Sequence, residues 1–80
     1  MPTVLIIGPY RFYFYSHEPN EPPHIHVDKD RSSAKFWLRK VGLANNIGYN
    51  SKEINVLHKL VIKNQKLFLD EWNEYFNCKN

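Results

Sequence analysis

The chain is poor in cysteine, in glycine and in long apolar runs, and each shortage removes a class of protein. Cys78 is the single cysteine among 80 residues, so no internal disulfide can form and a reducing compartment is indicated. No apolar segment approaches the roughly 20 residues that a membrane-spanning helix needs. Residues 1–8 lack the basic segment of a secretory signal and are too short for one. We therefore expect a cytoplasmic protein that does not enter the membrane.

Glycine is limited to Gly8, Gly42 and Gly48, which are scattered along the chain. This scatter excludes the glycine-rich loops that cradle phosphates, and no Ser-His-Asp arrangement is present either. Charge is less decisive, because a net charge of +3 and a pI near 9.1 permit an acidic or nucleic-acid partner without requiring one.

Aromatic side chains, by contrast, are abundant, and the first half of the chain is rich in strand-forming residues. Four segments are predicted as strands, at residues 4–7, 11–15, 24–28 and 34–39. Gly8-Pro9 marks a turn, and three prolines make residues 16–23 a loop. Residues 41–50 are predicted as a connector.

From Ser51 to residue 77 the apolar period becomes that of a helix, with Asn50 or Ser51 as its N-cap. Asn64 interrupts the apolar stripe, so the segment is either one long helix or two helices that meet there. Because the stripe keeps its register across Asn64, we favour one long helix, kinked if at all. Such a helix would be about 39 Å long, which suggests that a second chain, as in a homodimer, buries part of it.

These elements predict a single α+β domain over residues 1–80: strand-rich over 1–40, a connector over 41–50 and helical over 51–77. A small antiparallel sheet of three to four strands would pack on the C-terminal helix. Since side chains alternate along a strand, one sheet face should be apolar and form the core. Its predicted members are Phe12, Phe14, Ile25, Val27, Ala34, Phe36 and Leu38.

The opposite face of the sheet has a different composition. By the same alternation it carries Arg11, Tyr13, Tyr15, His24, His26, Asp28, Lys35, Trp37 and Arg39. Tyrosine, tryptophan and arginine are enriched where proteins bind one another. We therefore favour a partner-binding surface, which His17 in the proline loop would join, over a sheet that simply leaves amphipathic residues half exposed.

Three histidines within ten residues, His17, His24 and His26, raise the question of a metal site. His24 and His26 point to the same side of a strand, and a third ligand from His17 would leave an open position, as in catalytic zinc sites, with Glu18 or Glu21 as a base. However, no fourth ligand stands at a recognised spacing, and histidines beside prolines often bond to loop carbonyls. We therefore expect no metal and no other cofactor, and zinc is the disfavoured alternative.

Two further hypotheses involve nucleic acid. A small metal-independent ribonuclease could use His24 and His26 as acid and base, with Lys35 or Arg39 stabilising the charge of the transition state. Alternatively, Tyr13, Tyr15 and Trp37 among cations resemble in kind the stacking platforms that bind single strands. Asp28 argues against a uniformly basic surface, and the helical lysines are better explained as a solvated face.

A family resemblance runs through nearly the whole chain. It is carried by Arg11–Tyr15, by Pro22-Pro23-His24-Ile25-His26, by Ala34–Leu38 and by the tail Glu71-Trp72-Asn73-Glu74-Tyr75-Phe76. These motifs resemble those of the Domain of Unknown Function 4160 family. The resemblance implies a small bacterial cytoplasmic protein, encoded beside a second small protein of the 2442 unknown-function family, in a toxin–antitoxin-like pair. It supplies no catalytic residues.

The first hypothesis is therefore a protein-binding component of such a pair, more in keeping with a binding protein than with an enzyme. The second is a small RNA-directed enzyme or toxin that uses His24 and His26, and the third is a module that binds single-stranded nucleic acid.

Overall fold

A computed structural model describes residues 3–15 and 21–76. Within them, five strands precede two helices: β1 (Thr3–Ile7), β2 (Tyr10–Tyr13), β3 (His24–Lys29), β4 (Ser32–Trp37), β5 (Gly42–Ile47), α1 (Ser51–Lys63) and α2 (Gln65–Phe76). The strands form one antiparallel sheet in chain order, β1 to β5. The predicted α+β class, with a helical C-terminal segment on an antiparallel sheet, is confirmed.

The helices pack on the sheet face that the alternation predicts to be apolar. All seven residues predicted for that face are at most 3% exposed, and the helices add Leu57, Val61, Phe68 and Trp72 to the core. The rings of Phe12 and Phe68 stack with their centroids 5.3 Å apart, which joins β2 to α2. Burial of each such side chain contributes about 1.5–3 kcal/mol, so this face holds most of the hydrophobic stabilisation.

The predicted connector contains a strand. Residues 42–47 form β5, which pairs with β4, so the sheet has five strands where three to four were predicted. Glycine and asparagine are rare in strands, which hid this one from sequence reasoning. The edge of β4 supplies the backbone partners that stabilise β5, and an irregularity in the pairing at Lys35/Phe36 accommodates its residues.

The prediction of a single long helix is wrong, because α1 ends at Lys63 and α2 begins at Gln65. Asn64, the residue between them, donates from its side-chain Nδ2 to Leu60 O at 2.9 Å. Gln65 Nε2 donates to Leu38 O at 2.6 Å and to Arg39 O at 3.0 Å, which fastens the junction to the end of β4. The polar residues that interrupt the stripe thus bond to backbone carbonyls. A homodimer stays a prediction.

The N-terminal end of α1 is held by side-chain contacts. Asn50 is the N-cap, as one of the two predicted candidates, and accepts from Glu53 N at 2.8 Å. Glu53 in turn forms an ion pair with Lys29 of β3 and accepts from Tyr10 Oη at 3.1 Å. The hydrogen bond from Lys29 lowers the pKa of Glu53, so this carboxylate stays charged and ties α1 to the sheet.

Replacement of Gly48 should destabilise the fold at the turn that leads from β5 into α1. Gly48 has φ +94°, and a Cβ built there would lie 2.7 Å from Ser32 Oγ and 3.3 Å from Ser32 Cα. We expect Gly48→Ala to lower the free energy of unfolding by about 1–3 kcal/mol, measured by urea denaturation. Gly42→Ala is the matched control, because its nearest neighbour would be Lys40 O at 3.7 Å. Equal losses in the two variants would contradict this account.

Candidate functional site

The sheet face that points away from the helices carries the candidate site, which we call the aromatic–histidine face. The strand register sets its layout: His26 lies opposite both Tyr13 and Lys35, and His24 lies opposite Trp37. We define the face by the residues that this register brings together, namely Arg11, Tyr13, Tyr15, His24, His26, Asp28, Lys35 and Trp37. Seven of the nine predicted partner-binding residues, all but His17 and Arg39, therefore lie together on one face with Asp28.

His26 is at the centre of a group of packed rings. Its ring stacks on Tyr13, with centroids 5.3 Å apart and an interplanar angle of 21°. Tyr15 contacts the same imidazole edge-on at 4.7 Å and contacts Tyr13 edge-on at 5.5 Å. Tyr13 is only 3% exposed, whereas Tyr15 is 42% exposed. The group therefore has a buried base and an exposed aromatic rim.

His24 is fully buried, although the alternation places both His24 and His26 on the face away from the predicted core. Its ring contacts His26 at 5.1 Å and Trp37 at 5.9 Å on the sheet, and Trp72 of α2 at 4.9 Å. The alternation correctly predicted the side of β3 on which His24 lies. It could not show that Trp72, from a helix about 48 residues later, would reach the end of the sheet and cover the ring.

The loop before β3 fixes the orientation of the His24 ring. Nδ1 lies 2.9 Å from Pro22 O, and because a carbonyl oxygen only accepts, Nδ1 carries the proton of this bond. The backbone continues the sheet pairing at this point, since Leu38 N donates to Pro23 O at 3.0 Å. The double proline therefore leads directly into the ladder and holds His24 in place, which is the loop-carbonyl role expected for a histidine beside prolines.

Each charge described on the face has a partner. Arg11 Cζ lies 4.6 Å from the centroid of the Tyr13 ring, and its Nε donates to Thr3 Oγ1 at 2.9 Å. Lys35 Nζ lies 4.8 Å from the centroid of the Trp37 ring and forms an ion pair with Glu21. The two cations thus lie over aromatic rings, where the quadrupole stabilises them.

Asp28 balances the cations at the other end of the face. Tyr13 Oη lies 3.0 Å from both of its carboxylate oxygens and donates to them. Desolvation of the phenol raises the pKa of Tyr13, and its hydrogen bonds with Tyr15 and Asp28 raise it further. Tyr13 is therefore a protonated hydrogen-bond donor throughout the neutral range.

Not every predicted site residue belongs to this surface. Arg39 lies beyond the end of β4 and is exposed, and the contact described for it is the one through its backbone carbonyl to Gln65. His17 and Glu18 lie outside the described residues, as does Cys78. Within residues 3–15 and 21–76, no group of three or more histidine, cysteine or acidic side chains could hold a metal ion. Since the proposed triad needs His17, the absence of zinc stays a prediction.

Sequence reasoning missed two groups at this site. Trp72 lies in the apolar stripe of the helical segment, a position that indicates packing on the core, as its contact with Phe14 shows, but that gives no sign of its second contact, with His24. Ile6 and Ile47 flank the face on the outer strands, opposite Arg11 and Ser33, and are 64% and 58% exposed. The alternation of β1 could have indicated Ile6, but Ile47 depended on recognising β5.

Comparison with known proteins identifies the family of the chain and gives no biochemical activity. The family model described as Domain of unknown function (DUF4160) matches residues 10–73. This range contains β2 to β5, all of α1 and most of α2, and leaves out β1. No curated protein and no solved structure gives a match. In the described part of the chain, neither helix has the length and apolar character to cross a membrane.

Removal of the Tyr13 hydroxyl should destabilise the face, because Asp28 would lose its donor in a half-buried setting. We expect Tyr13→Phe to lower the free energy of unfolding at pH 7 by about 1–3 kcal/mol. The folded-state pKa of Tyr13 is raised above the unfolded value of about 10. The contribution of the Tyr13 hydroxyl to the free energy of unfolding is thus complete below pH 10 and is lost as the pH rises through the folded-state pKa.

The unfolding free energy of Tyr13→Phe should consequently fall less steeply than that of the wild type above about pH 10. Chemical denaturation at a series of pH values measures both effects. Tyr75→Phe is the control, since Tyr75 is 47% exposed and contacts Phe14 through its ring. If Tyr13→Phe and Tyr75→Phe gave the same stability and the same alkaline slope, the bond to Asp28 would have no energetic role.

Proposed function

The chain belongs to the Domain of Unknown Function 4160 family, and we propose that it is the protein-binding component of a two-protein, toxin–antitoxin-like module. In this proposal it binds its partner through the aromatic–histidine face. The partner is a second small protein of the 2442 unknown-function family, and the module acts in the cytoplasm. The observation that carries the proposal is a sheet with its helices packed on one face and an aromatic surface with paired charges on the other.

Exposed apolar and aromatic groups on this face support a protein partner. Tyr15, Ile6 and Ile47 are each more than 40% exposed. Tyr15 packs on the more buried rings of Tyr13 and His26, and the two isoleucines flank the face on the outer strands. Rigid aromatic side chains contribute large contact areas at little cost in conformational entropy, and interfaces are enriched in them. Since the stacked rings already fix one another, the face needs little reorganisation to bind.

Charge pairing favours protein over nucleic acid as the ligand of this face. Affinity for a phosphate backbone depends on cations that can replace its counterions. Lys35 is paired with Glu21, and Tyr13 holds the carboxylate of Asp28 beside Arg11. The face is therefore nearly neutral, with cations already engaged by rings and acids, which suits a mixed polar and aromatic protein surface better than a polyanion.

The burial of His24 weighs against the ribonuclease alternative. An acid and a base must both come within hydrogen-bond reach of the substrate. His24 is enclosed by Trp37, Trp72 and His26, with Nδ1 bonded to Pro22 O. A catalytic pair of His24 and His26 would require α2 to move away from the end of the sheet before RNA could reach the first ring.

Truncation of the exposed ring of Tyr15 or of the half-buried ring of Trp37 should weaken binding of the co-encoded small protein. We expect Tyr15→Ala and Trp37→Ala each to raise the Kd at least about tenfold, because aromatic anchors dominate interface energies. Isothermal titration calorimetry with the co-expressed, separately purified partner measures this. Leu67→Ala is the control, because Leu67 on α2 is 40% exposed and thus resembles Tyr15 in exposure. Unchanged affinity of both aromatic variants would refute this binding face.

Replacement of the half-buried His26 distinguishes the binding protein from the ribonuclease alternative. His26→Ala should weaken partner binding, and neither it nor the wild type should cleave RNA, as followed with labelled single strands. If the wild type cleaved RNA, and His26→Ala lost cleavage while it kept partner binding, the ribonuclease would replace the binding protein as the function.

A further inference from the structure

Within residues 3–15 and 21–76, the helical layer leaves one edge of the sheet uncovered. Five strands about 4.8 Å apart span roughly 19 Å, whereas one helix covers about 10 Å. The bonds Asn64 N to Leu60 O and Phe68 N to Asn64 O carry the helical pattern through the junction of α1 and α2. The two helices therefore follow one another, and the layer is one helix wide.

The uncovered edge is β5. At the other edge, Val4, Leu5 and Ile7 of β1 pack against the core. None of the six residues of β5, all of them described, belongs to the core or to the hydrophobic side chains packed against it, although Asn46 of β5 exchanges hydrogen bonds with the backbone of the core residue Tyr49. Leu43 lies opposite Phe36 and so points to the helix side of the sheet, yet it is 43% exposed. An apolar residue on the core side is thus left nearly half exposed beside the single helical layer.

The flank of α1 on this side lies next to β4, the strand that pairs with β5. His58 contacts the ring of Phe36 edge-on, with centroids 6.1 Å apart, and Phe36 is the β4 neighbour of Leu43. An open depression of about 410 Å³ runs along this flank and is lined by α1 residues alone, namely Asn55, His58, Lys59 and Ile62. We call this depression, together with Leu43 on the same side of the sheet, the groove. The α1 residues follow the i, i+3, i+4, i+7 spacing of one helix face, and Ile62 is 52% exposed. The groove is therefore apolar in part and about two helical turns long.

The charge of α1 around the groove is positive. Lys52, Lys59 and Lys63 are exposed, and no ion pair involves them within residues 3–15 and 21–76. The one acidic residue of α1, Glu53, is already paired with Lys29. An approaching segment with acidic side chains would thus meet lysines without competing partners, unlike the balanced cations of the aromatic–histidine face.

We propose that this groove, between α1 and β5, binds an acidic amphipathic helix of another protein. The apolar side of that helix would cover Leu43 and Ile62, and its carboxylates would pair with Lys59 and its neighbours on α1. The helical layer would then be two helices wide over the five-stranded sheet. This site lies on the other side of the sheet from the aromatic–histidine face, so the two surfaces can be tested and can fail separately.

A nucleic-acid backbone suits the groove less well. Phosphate contacts favour an uninterrupted row of cations, whereas Val56 and Ile62, 45% and 52% exposed, lie among the lysines of α1. Alternating apolar and basic positions match the helix-in-groove mode of recognition, in which apolar anchors recur at helical spacing.

Two synthetic peptides provide the test. Both are about 14 residues long, which is close to the length of α1, with leucines on one helical face, and the other face carries glutamates in one peptide and lysines in the second. Each is titrated into the isotopically labelled full chain while backbone amide resonances are followed by NMR. The acidic peptide should bind saturably and shift the resonances of residues 55–62 and of Leu43, while those of His26 and Lys35 stay in place. The basic peptide should bind at least fivefold more weakly.

Charge reversal within the groove should change this preference. Lys59→Glu should lower the affinity for the acidic peptide at least fivefold and raise the affinity for the basic peptide. Lys66→Glu, an equal change of charge at a lysine of α2 that is paired with Asp70, should leave both affinities within twofold. Far-ultraviolet circular dichroism of both variants checks that they fold.

Several results would overturn the proposal. These are the absence of saturable binding by the acidic peptide, equal affinity for both peptides, and shifts that centre on the aromatic–histidine face. A single-stranded oligonucleotide that shifted residues 55–62 at lower concentration than the acidic peptide would instead assign the groove to nucleic acid. Loss of partner binding in Tyr15→Ala or Trp37→Ala leaves the groove result unaffected, because those side chains lie on the other face.

Discussion

The antiparallel ladder between β3 and β4 is the constraint on which the rest of the structure depends. Its register runs from the His24–Trp37 pair to the Lys29–Ser32 pair, closed by a turn in which Asp30 has φ +53°. A slip of one residue would turn the side chains of one strand to the opposite face relative to its partner. The apolar face could then not pack on α1 and α2, and the histidines would point into the core. The same register therefore produces both the stability of the domain and the composition of its candidate site.

Electrostatic pairing gives the aromatic–histidine face its character. Positive groups lie over rings, the carboxylate of Asp28 accepts from Tyr13, and Glu21 pairs with Lys35. Each contact is individually modest at a partly exposed site. Together they restrain long side chains that would otherwise lose rotamer freedom on binding, so a partner would meet a preformed surface. On α1 the lysines lack such partners in the described part of the chain, and this contrast distinguishes the two surfaces.

The core and the layout of the site could be predicted because they depend on local periodicity. Period-two alternation placed Phe12, Val27 and Phe36 on one face and His26 and Lys35 on the other. Elements that depend on distant parts of the chain could not be predicted in this way. The pairing of β5 comes from the edge of β4, against the preference of its glycine and asparagines. The break at Asn64 uses the carbonyl of Leu38, and the burial of His24 requires Trp72.

Trp72 connects the two sides of the sheet and changes how the histidines must be interpreted. Its ring packs on Phe14 in the core and on His24 at the end of the sheet. Truncation of His24 would open a cavity between Trp37 and Trp72 and would loosen the contact of α2 with the sheet. Loss of activity in such a variant would therefore report on packing as much as on chemistry. His26, which is half-buried against Tyr13 and Tyr15, is the histidine whose replacement probes the surface itself. The two imidazoles that alternate along β3 thus have separate roles, one as a packed part of the fold and the other as the centre of the face.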